Sequence, residues 1–133
     1  MSPGTLLSVD IEAWERRTEV LEVGIAWIAN ADAWRAGSMH AAHYIIKEFE
    51  HLRNRTFVAD NRDRFNFGTS EHVSYGECAS ALRELLDALA KQGGPVRLVG
   101  HSISQDIAWL ADTGVDLADM ETCDIAQVDY ARR

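Results

Sequence analysis

Three short runs of apolar and β-branched residues near the start of this chain constrain its fold more than any other feature. They are Thr5–Ile11, Val20–Ile28 and Ala42–Phe49, and each has the length and composition of a β-strand. Between the second and third runs, Asn30–Met39 is small and polar, which is typical of a turn. Because short connections favour antiparallel neighbours, we expect the chain to begin with an antiparallel three-stranded meander.

A helix is predicted after these strands. Ser74 stands three residues before Glu77, the S-x-x-E pattern in which two side chains satisfy the first free N–H groups of a helix. The run Gly93–Pro95 then ends it. Apolar residues recur behind the cap at steps of three and four and form one stripe: Cys78, Leu82, Leu85, Leu86 and Leu89.

A strand that leads directly into a second helix comes next. Val96–Gly100 is the strand, Ser102 is placed to cap the helix, and Gly114 is placed to end it. Glu121–Ile125 is a possible last strand, and Ala126–Arg133 the start of a further helix. The order β-β-β-α-β-α-β predicts an α/β fold with a mixed sheet, antiparallel at first and then parallel through crossover helices.

Size and charge restrict the class of protein. A chain of 133 residues makes one domain, and its longest uncharged apolar stretch is too short to cross a bilayer. Cys78 and Cys123 lie far apart and are expected to be free thiols, which suits an intracellular protein, cytoplasmic or nuclear. The net charge of −8 argues against nucleic-acid binding by bulk electrostatics.

The segment Glu50–Thr69 has no clear period, and we expect a long ordered loop. Phe65 and Phe67 could anchor it by packing. Residues 1–66 have a net charge of −2 and residues 67–133 a net charge of −6, so any phosphate-facing surface is expected in the first half of the chain. Four arginines fall close together there: Arg53, Arg55, Arg62 and Arg64.

The chemistry that the sequence suggests lies in three carboxylates. Asp10 and Glu12 alternate along the first strand, so they point to the same side near its end. Asp106 lies in the first turns of the helix after the strand Val96–Gly100. Carboxylate oxygens suit Mg²⁺ or Mn²⁺. A solvated Asp-x-Glu pair is the ordinary alternative, and acidic residues are common in the first turn of any helix.

The motifs around these carboxylates resemble a known family. SVDIEAW is similar to the first motif of the DEDD (DEDDh-type) 3′ to 5′ exonucleases of the ribonuclease H-like superfamily, and LVGHSISQDIAWL is similar to their second motif. HYIIKEF, NRTFVADNRDRFNFGTSEHVS and LVGHSISQDI together resemble fungal exonuclease-like proteins, some of them linked to RNA silencing. The likeness covers nearly the whole chain.

The resemblance implies a function and a set of site residues. Asp10, Glu12 and Asp106 match three of the four acidic ligands that hold two Mg²⁺ or Mn²⁺ ions for phosphodiester hydrolysis at the 3′ end of RNA or DNA. It also places Ala13, Trp14 and Ser102 next to the terminal nucleotide. Trp14 could stack on a base there, or could simply be packed or exposed.

The family's third motif, a His followed by an Asp five residues later, is missing. No His occurs after His101, and neither Asp124 nor Asp129 is assigned a catalytic role. We therefore expect residues 1–133 to be an exonuclease-like domain that lacks its C-terminal part and is inactive or nearly so. The alternative is a non-catalytic module that binds nucleic acid or a protein partner.

Two further expectations follow. His101 is predicted to hold its loop, and the other histidines to be surface or loop residues: His40, His43, His51 and His72. If terminal helices are missing, apolar surface is uncovered, and a homo-oligomer or a swapped element is expected. Its candidate contacts, or core residues, are Leu82, Leu85, Trp109 and Leu110.

Overall fold

A mixed β-sheet organises the computed structural model of this chain. The structure describes residues 4–16, 19–54, 56, 60, 62–92, 94–112, 114–117 and 120–126. The strands are β1 (Thr5–Ala13), β2 (Val20–Ile28), β3 (His40–Ile46), β4 (Glu71–Val73), β5 (Val96–Gly100) and β6 (Glu121–Asp124). The helices are α1 (Ala31–Arg35), α2 (Tyr75–Lys91) and α3 (Ile103–Asp112), with 3₁₀ turns at Lys47–Phe49 and Arg62–Arg64.

The sheet has the strand order β4-β3-β2-β1-β5-β6. β1 pairs antiparallel with β2, and β2 with β3, so the predicted meander is confirmed. β1 pairs parallel with β5, and β5 with β6, as expected for crossover connections. The strand β4, which the sequence did not predict, pairs parallel with β3. The parallel pairing of β1 with β5 places the end of β1 beside the start of α3, which follows β5. The α/β class and the mixed sheet predicted from the sequence are thus confirmed.

Several element boundaries differ from the prediction. The third strand starts earlier, at His40, and ends at Ile46, because Lys47–Phe49 turns away as a 3₁₀ helix. The helix α1 was expected to be a turn; there the Asn30 side chain accepts a hydrogen bond from the Ala33 N–H. The short strand β4 had no sequence signal of its own.

The C-terminal elements agree in part. The last strand ends at Asp124 rather than Ile125, and residues 125–126 are helical. The rest of the helix predicted for Ala126–Arg133 lies outside the described residues. Of the described helices, none has both the length and the apolar character that a membrane span requires.

The core lies on one side of β1. Leu7, Val9 and Ile11 are buried there against α2 and α3, whose Leu82 and Leu110 belong to the same cluster. Leu85 and Trp109 are partly buried against it. Of the candidate contacts for an oligomer, Leu82 and Leu110 are therefore core residues.

The capping box at Ser74 and Glu77 is present at the start of α2.

The start of α3 is not capped as predicted. Ser102 has a left-handed backbone (φ 55°), whereas a capping residue is extended. The carboxylate of Asp124 instead accepts hydrogen bonds from the N–H groups of Ser102 (2.9 Å) and Ile103 (3.3 Å). These bonds lower the pKa of Asp124, that from Ser102 most strongly. Gly100 is required here because a Cβ would collide with the Ile103 side chain.

Arg53 and Arg62, the two arginines of the loop after β3 whose side chains the structure describes, make their contacts within the loop itself. Arg62 is only 4% exposed and donates to the carbonyls of Glu50 and Leu52, so its assignment as phosphate-facing is wrong. Arg53 is neutralised by Asp60 and Asp63. Arg55 and the side chain of Arg64 lie outside the described residues.

The two phenylalanines of this loop behave differently. Phe65 packs against the ring of His43, with ring centroids 5.3 Å apart, and so anchors the loop on the sheet as predicted. Phe67 contacts Phe65, but 67% of its surface remains exposed. Phe67 is therefore an exposed aromatic beside the sheet rather than a buried anchor.

Candidate metal and nucleic-acid site

Asp10 and Glu12 lie on the side of β1 opposite the core. Burial alternates along the strand, with Asp10 exposed and Glu12 half-buried near its end. Their cross-strand neighbours on β2 are Gly24 and Glu22. We call the side of β1 that carries Ser8, Asp10 and Glu12 its exposed face.

Asp106 interacts with both of these carboxylates. It is half-buried in the first turn of α3. Burial, followed by the charge of Asp10, raises the pKa of Asp106 to about 6, and a hydrogen bond from the backbone N–H of Ile11 partly offsets the rise. The pKa of Glu12 is raised by burial and then by the charges of Asp10, Glu22 and Asp106. Carboxylates from β1 and α3 thus form one electrostatically coupled group.

The chemistry of this group suits a hard divalent cation. All the donors are carboxylate oxygens, and their mutual repulsion would be relieved by a positive ion between them. Within the described ranges, however, no three His, Cys, Asp or Glu side chains already surround one point where an ion could sit.

Sequence reasoning missed a fourth carboxylate, Glu22 on β2. Glu22 lies directly opposite Glu12 in the β1–β2 pair, and its Oε1 lies 2.9 Å from His43 Nε2, within hydrogen-bond distance. The prediction that His43 is a surface or loop residue is wrong, because it lies in β3 with a side chain only 11% exposed. One signal was available: Glu22 is the single charged residue in the otherwise apolar run of β2, and a charge buried in a strand needs a partner.

The predicted nucleotide contacts lie at two places. Ala13 ends β1, and its carbonyl accepts a hydrogen bond from the buried side chain of Asn54 (2.9 Å). The next residue, Trp14, lines an open recess of about 360 Å³ together with Arg16 and Arg53. Ser102 lies exposed at the start of α3, and its N–H group is bonded to Asp124.

A second recess lies on the exposed face of β1. It has a volume of about 180 Å³, and Asp10 and Gly24 are among the residues of its floor. Met39, Phe65 and Phe67 also line it. The carboxylate group therefore borders a mostly apolar groove that contains exposed aromatic surface.

Comparison with known proteins gives consistent relatives. The uncharacterized nucleolar protein C2C4.08 of Schizosaccharomyces pombe is 33% identical over 112 residues, which cover 84% of this chain and 42% of that protein. Good for full DBP5 activity protein 2 of Saccharomyces cerevisiae is 30% identical over 120 residues, which cover 80% of this chain and 21% of that protein. This chain thus spans less than half the length of these relatives.

The family assignment rests on nearly the entire chain. Residues 5–132 match the family described as DNA polymerase III subunit epsilon-like, C-terminal domain, of the DEDDh group. The resemblance inferred from the Asp-x-Glu strand and the helix that carries Asp106 is therefore confirmed, and the relatives are indeed fungal proteins. The chain belongs to the DEDDh exonuclease-like family, in its DNA polymerase III subunit epsilon-like branch.

Proposed function

We propose that this chain is the metal-binding part of a 3′ to 5′ exonuclease domain that takes the 3′ end of RNA or DNA. The observation that carries the proposal is the coupling of Asp10, Glu12 and Asp106, which come from a strand and a helix distant in sequence. The pKa values of Glu12 and Asp106 are both raised, and raised carboxylate pKa values are common at functional sites, where several acidic side chains are held together.

In this proposal the three carboxylates hold Mg²⁺ or Mn²⁺. Two such ions, when bound, activate water and stabilise the leaving oxygen of a phosphodiester. The chain's own residues supply the ligands and their orientation. β1 fixes Asp10 and Glu12 by its antiparallel pairing with β2, and the Ile11 N–H donates a hydrogen bond to Asp106.

The nucleotide would be held by residues around this group. Ala13 and Trp14 follow Glu12 directly, and the recess at Trp14 offers an aromatic surface for a base. Ser102 is proposed as a contact through its exposed side chain. Because the net charge is −8, a partner or a separate basic segment would have to supply affinity for long substrates.

Hydrolysis by this chain alone is expected to be weak. The sequence has no His after His101, so a general base of the third motif is not among its residues. Removing one member of a catalytic unit usually costs most of the rate. A second candidate function is a module that binds metal and a nucleic-acid end, or a protein, without cutting.

The cellular setting is also a proposal. One relative is named as a nucleolar protein, which supports a nuclear location for this chain. The link to RNA silencing, inferred from the family likeness alone, stays a prediction.

The test is a calorimetric titration with Mn²⁺, followed by binding of a short fluorescent oligonucleotide with a free 3′ hydroxyl. We expect saturable Mn²⁺ binding that Asp10→Asn and Asp106→Asn each weaken at least tenfold. Asp87→Asn, an exposed carboxylate on α2, is the matched control and should bind as the wild type does. Equal Mn²⁺ affinity in the wild type and Asp10→Asn would refute the proposal.

A second arm tests whether the site recognises the 3′ end of the oligonucleotide. An oligonucleotide blocked at its 3′ end should bind more weakly than the free one if the site recognises the terminus. If both oligonucleotides bind equally while Mn²⁺ binds at the carboxylates, the end-recognition part of the proposal is wrong.

A further inference from the structure

We propose that Glu22 is a positioning residue for the metal site, held by His43 and Arg62 so that its charge stays fixed beside Glu12. This inference rests on the function proposed above, since it needs Glu12 to be a metal ligand. It adds a residue of β2, and through it the loop after β3, to a site built from β1 and α3.

The first step is the register of β1 and β2. Glu12 and Glu22 are directly opposite each other in this antiparallel pair. Opposite residues point to the same face, with Cβ atoms about 5 Å apart. Two carboxylates so placed repel, and a free glutamate side chain would rotate away to reduce the repulsion. Something must therefore hold Glu22 if its charge is to stay near Glu12.

The second step is the set of contacts on the other side of Glu22. His43 Nε2 lies 2.9 Å from Glu22 Oε1, and His43 Nδ1 lies 2.7 Å from Ser70 Oγ, so both nitrogens of the ring are fixed. Phe65 packs on the same ring. The side chains of Glu22 and His43 are each only 11% exposed.

The third step is Arg62. Its Nε lies 3.8 Å from Glu22 Oε2, too far for a hydrogen bond, and within the described residues this buried Nε has no hydrogen-bond partner. The guanidinium is fixed by its two bonds to the carbonyls of Glu50 and Leu52. Arg62 therefore acts on Glu22 through charge, from a place set by the loop.

Glu22 lies between cationic or hydrogen-bonding partners on one side and acidic neighbours on the other. Toward β3 and the loop it faces a histidine and an arginine; toward β1 it faces Glu12, near Asp10 and Asp106. A buried carboxylate whose partners are fixed cannot withdraw. Its negative charge adds to the attraction of the carboxylate group for a divalent cation.

A merely structural role for Glu22 would be to tie β2 to β3. If this were its only role, replacing Glu22 would change the stability of the protein. It would change the metal affinity no more than the loss of a charge elsewhere on the surface. Metal affinity of the folded protein therefore separates the two roles.

The experiment measures the Mn²⁺ dissociation constant by calorimetry for the whole chain. Glu22→Gln keeps the size and the hydrogen bond while removing the charge, and we expect about tenfold weaker binding. Glu84→Gln, an exposed position on α2, removes the same charge and should stay within about twofold of the wild type. Glu12→Gln gives the loss expected for a ligand.

A second variant covers the case in which Glu22→Gln does not fold, as judged by circular dichroism. His43→Gln keeps the Glu22 charge but removes the ring that fixes it, and we expect a smaller loss of about threefold. Unchanged Mn²⁺ affinity in both variants, with binding intact in the wild type, overturns the inference. A loss in Glu22→Gln as large as in Glu12→Gln also overturns it, since Glu22 would then be a ligand. No Mn²⁺ binding by the wild type would instead refute the proposed function itself.

Discussion

The two faces of β1 use one strand for two purposes. Leu7, Val9 and Ile11 point into the core, where Leu7 is 1% exposed. Ser8 and Asp10, between them in sequence, are exposed on the other face. The odd-numbered residues of β1 therefore fix the strand against the core, and the even-numbered residues carry the side chains that are available for chemistry. A carboxylate can stay in solvent and still be held by a rigid backbone.

The largest expected effect breaks the buried face. Leu7→Ala removes a fully buried side chain from the cluster under α2 and α3, and should lower the free energy of unfolding by about 2–5 kcal/mol. Ser8→Ala, one residue away on the exposed face, should change it by less than about 0.5 kcal/mol. Urea unfolding measures both. Similar losses in the two variants would show that the faces are not distinct.

The next effect concerns ligand binding at the exposed face. If Mn²⁺ binds only the folded chain, a free concentration about 100 times its dissociation constant should stabilise the protein by about 2.7 kcal/mol. Thermal unfolding with and without Mn²⁺ measures this. Asp10→Asn should remove most of the gain, and an equal gain in that variant would place the ion elsewhere.

A smaller effect is the pH dependence of the metal-free chain. Burial and the charge of Asp10 raise the pKa of Asp106 from 3.8 to about 6, so between these values the folded state keeps a proton that the unfolded state has released. Stability therefore falls as pH rises through this window. After allowance for solvent screening of this half-exposed group, the cost at neutral pH is about 1 kcal/mol.

The variant that tests this is Asp106→Asn. It should be more stable than the wild type at neutral pH by about that amount, with a flatter profile between about pH 4 and 6. Urea unfolding in the presence of a chelator is the measurement. Parallel profiles for the two proteins would exclude Asp106 as the source.

The smallest effect is expected at Gly24, the neighbour of Asp10. A Cβ there would lie 3.7 Å from the Asp10 carbonyl oxygen, an ordinary contact. Gly24→Ala should therefore leave stability within about 0.5 kcal/mol of the wild type, or raise it slightly by restricting the unfolded chain. A loss above about 2 kcal/mol would mean that the exposed face is packed as tightly as the core.

Local patterns were enough to predict much of this fold. The alternation in β1, the capping box at Ser74 and the strand leading into α3 are each set by residues close together in sequence. The proposal that Asp10, Glu12 and Asp106 meet came from the family likeness together with the rule that strand ends and helix starts converge. The alternation in β1, the capping box and the strand–helix junction needed no knowledge of distant contacts.

The parts that could not be predicted depend on partners far along the chain. His43 is buried because Glu22, Ser70 and Phe65 surround it, and none of them is a sequence neighbour. Arg62 has the residue type of a phosphate ligand, but its guanidinium donates to two carbonyls of its own loop. Ser102 had the right residue type for a cap, but its left-handed backbone left that role to Asp124.

The cap formed by Asp124 adds a side-chain link between the end of β6 and the start of α3, beside the strand pairing of Asp124 with Gly100. The Asp124 carboxylate accepts hydrogen bonds from the N–H groups of Ser102 and Ile103 at the start of α3. It also accepts one from the N–H group of Ala126, just after β6. The position of the first turn of α3, which carries Asp106, therefore depends on where β6 ends as well as on the packing of the helix itself.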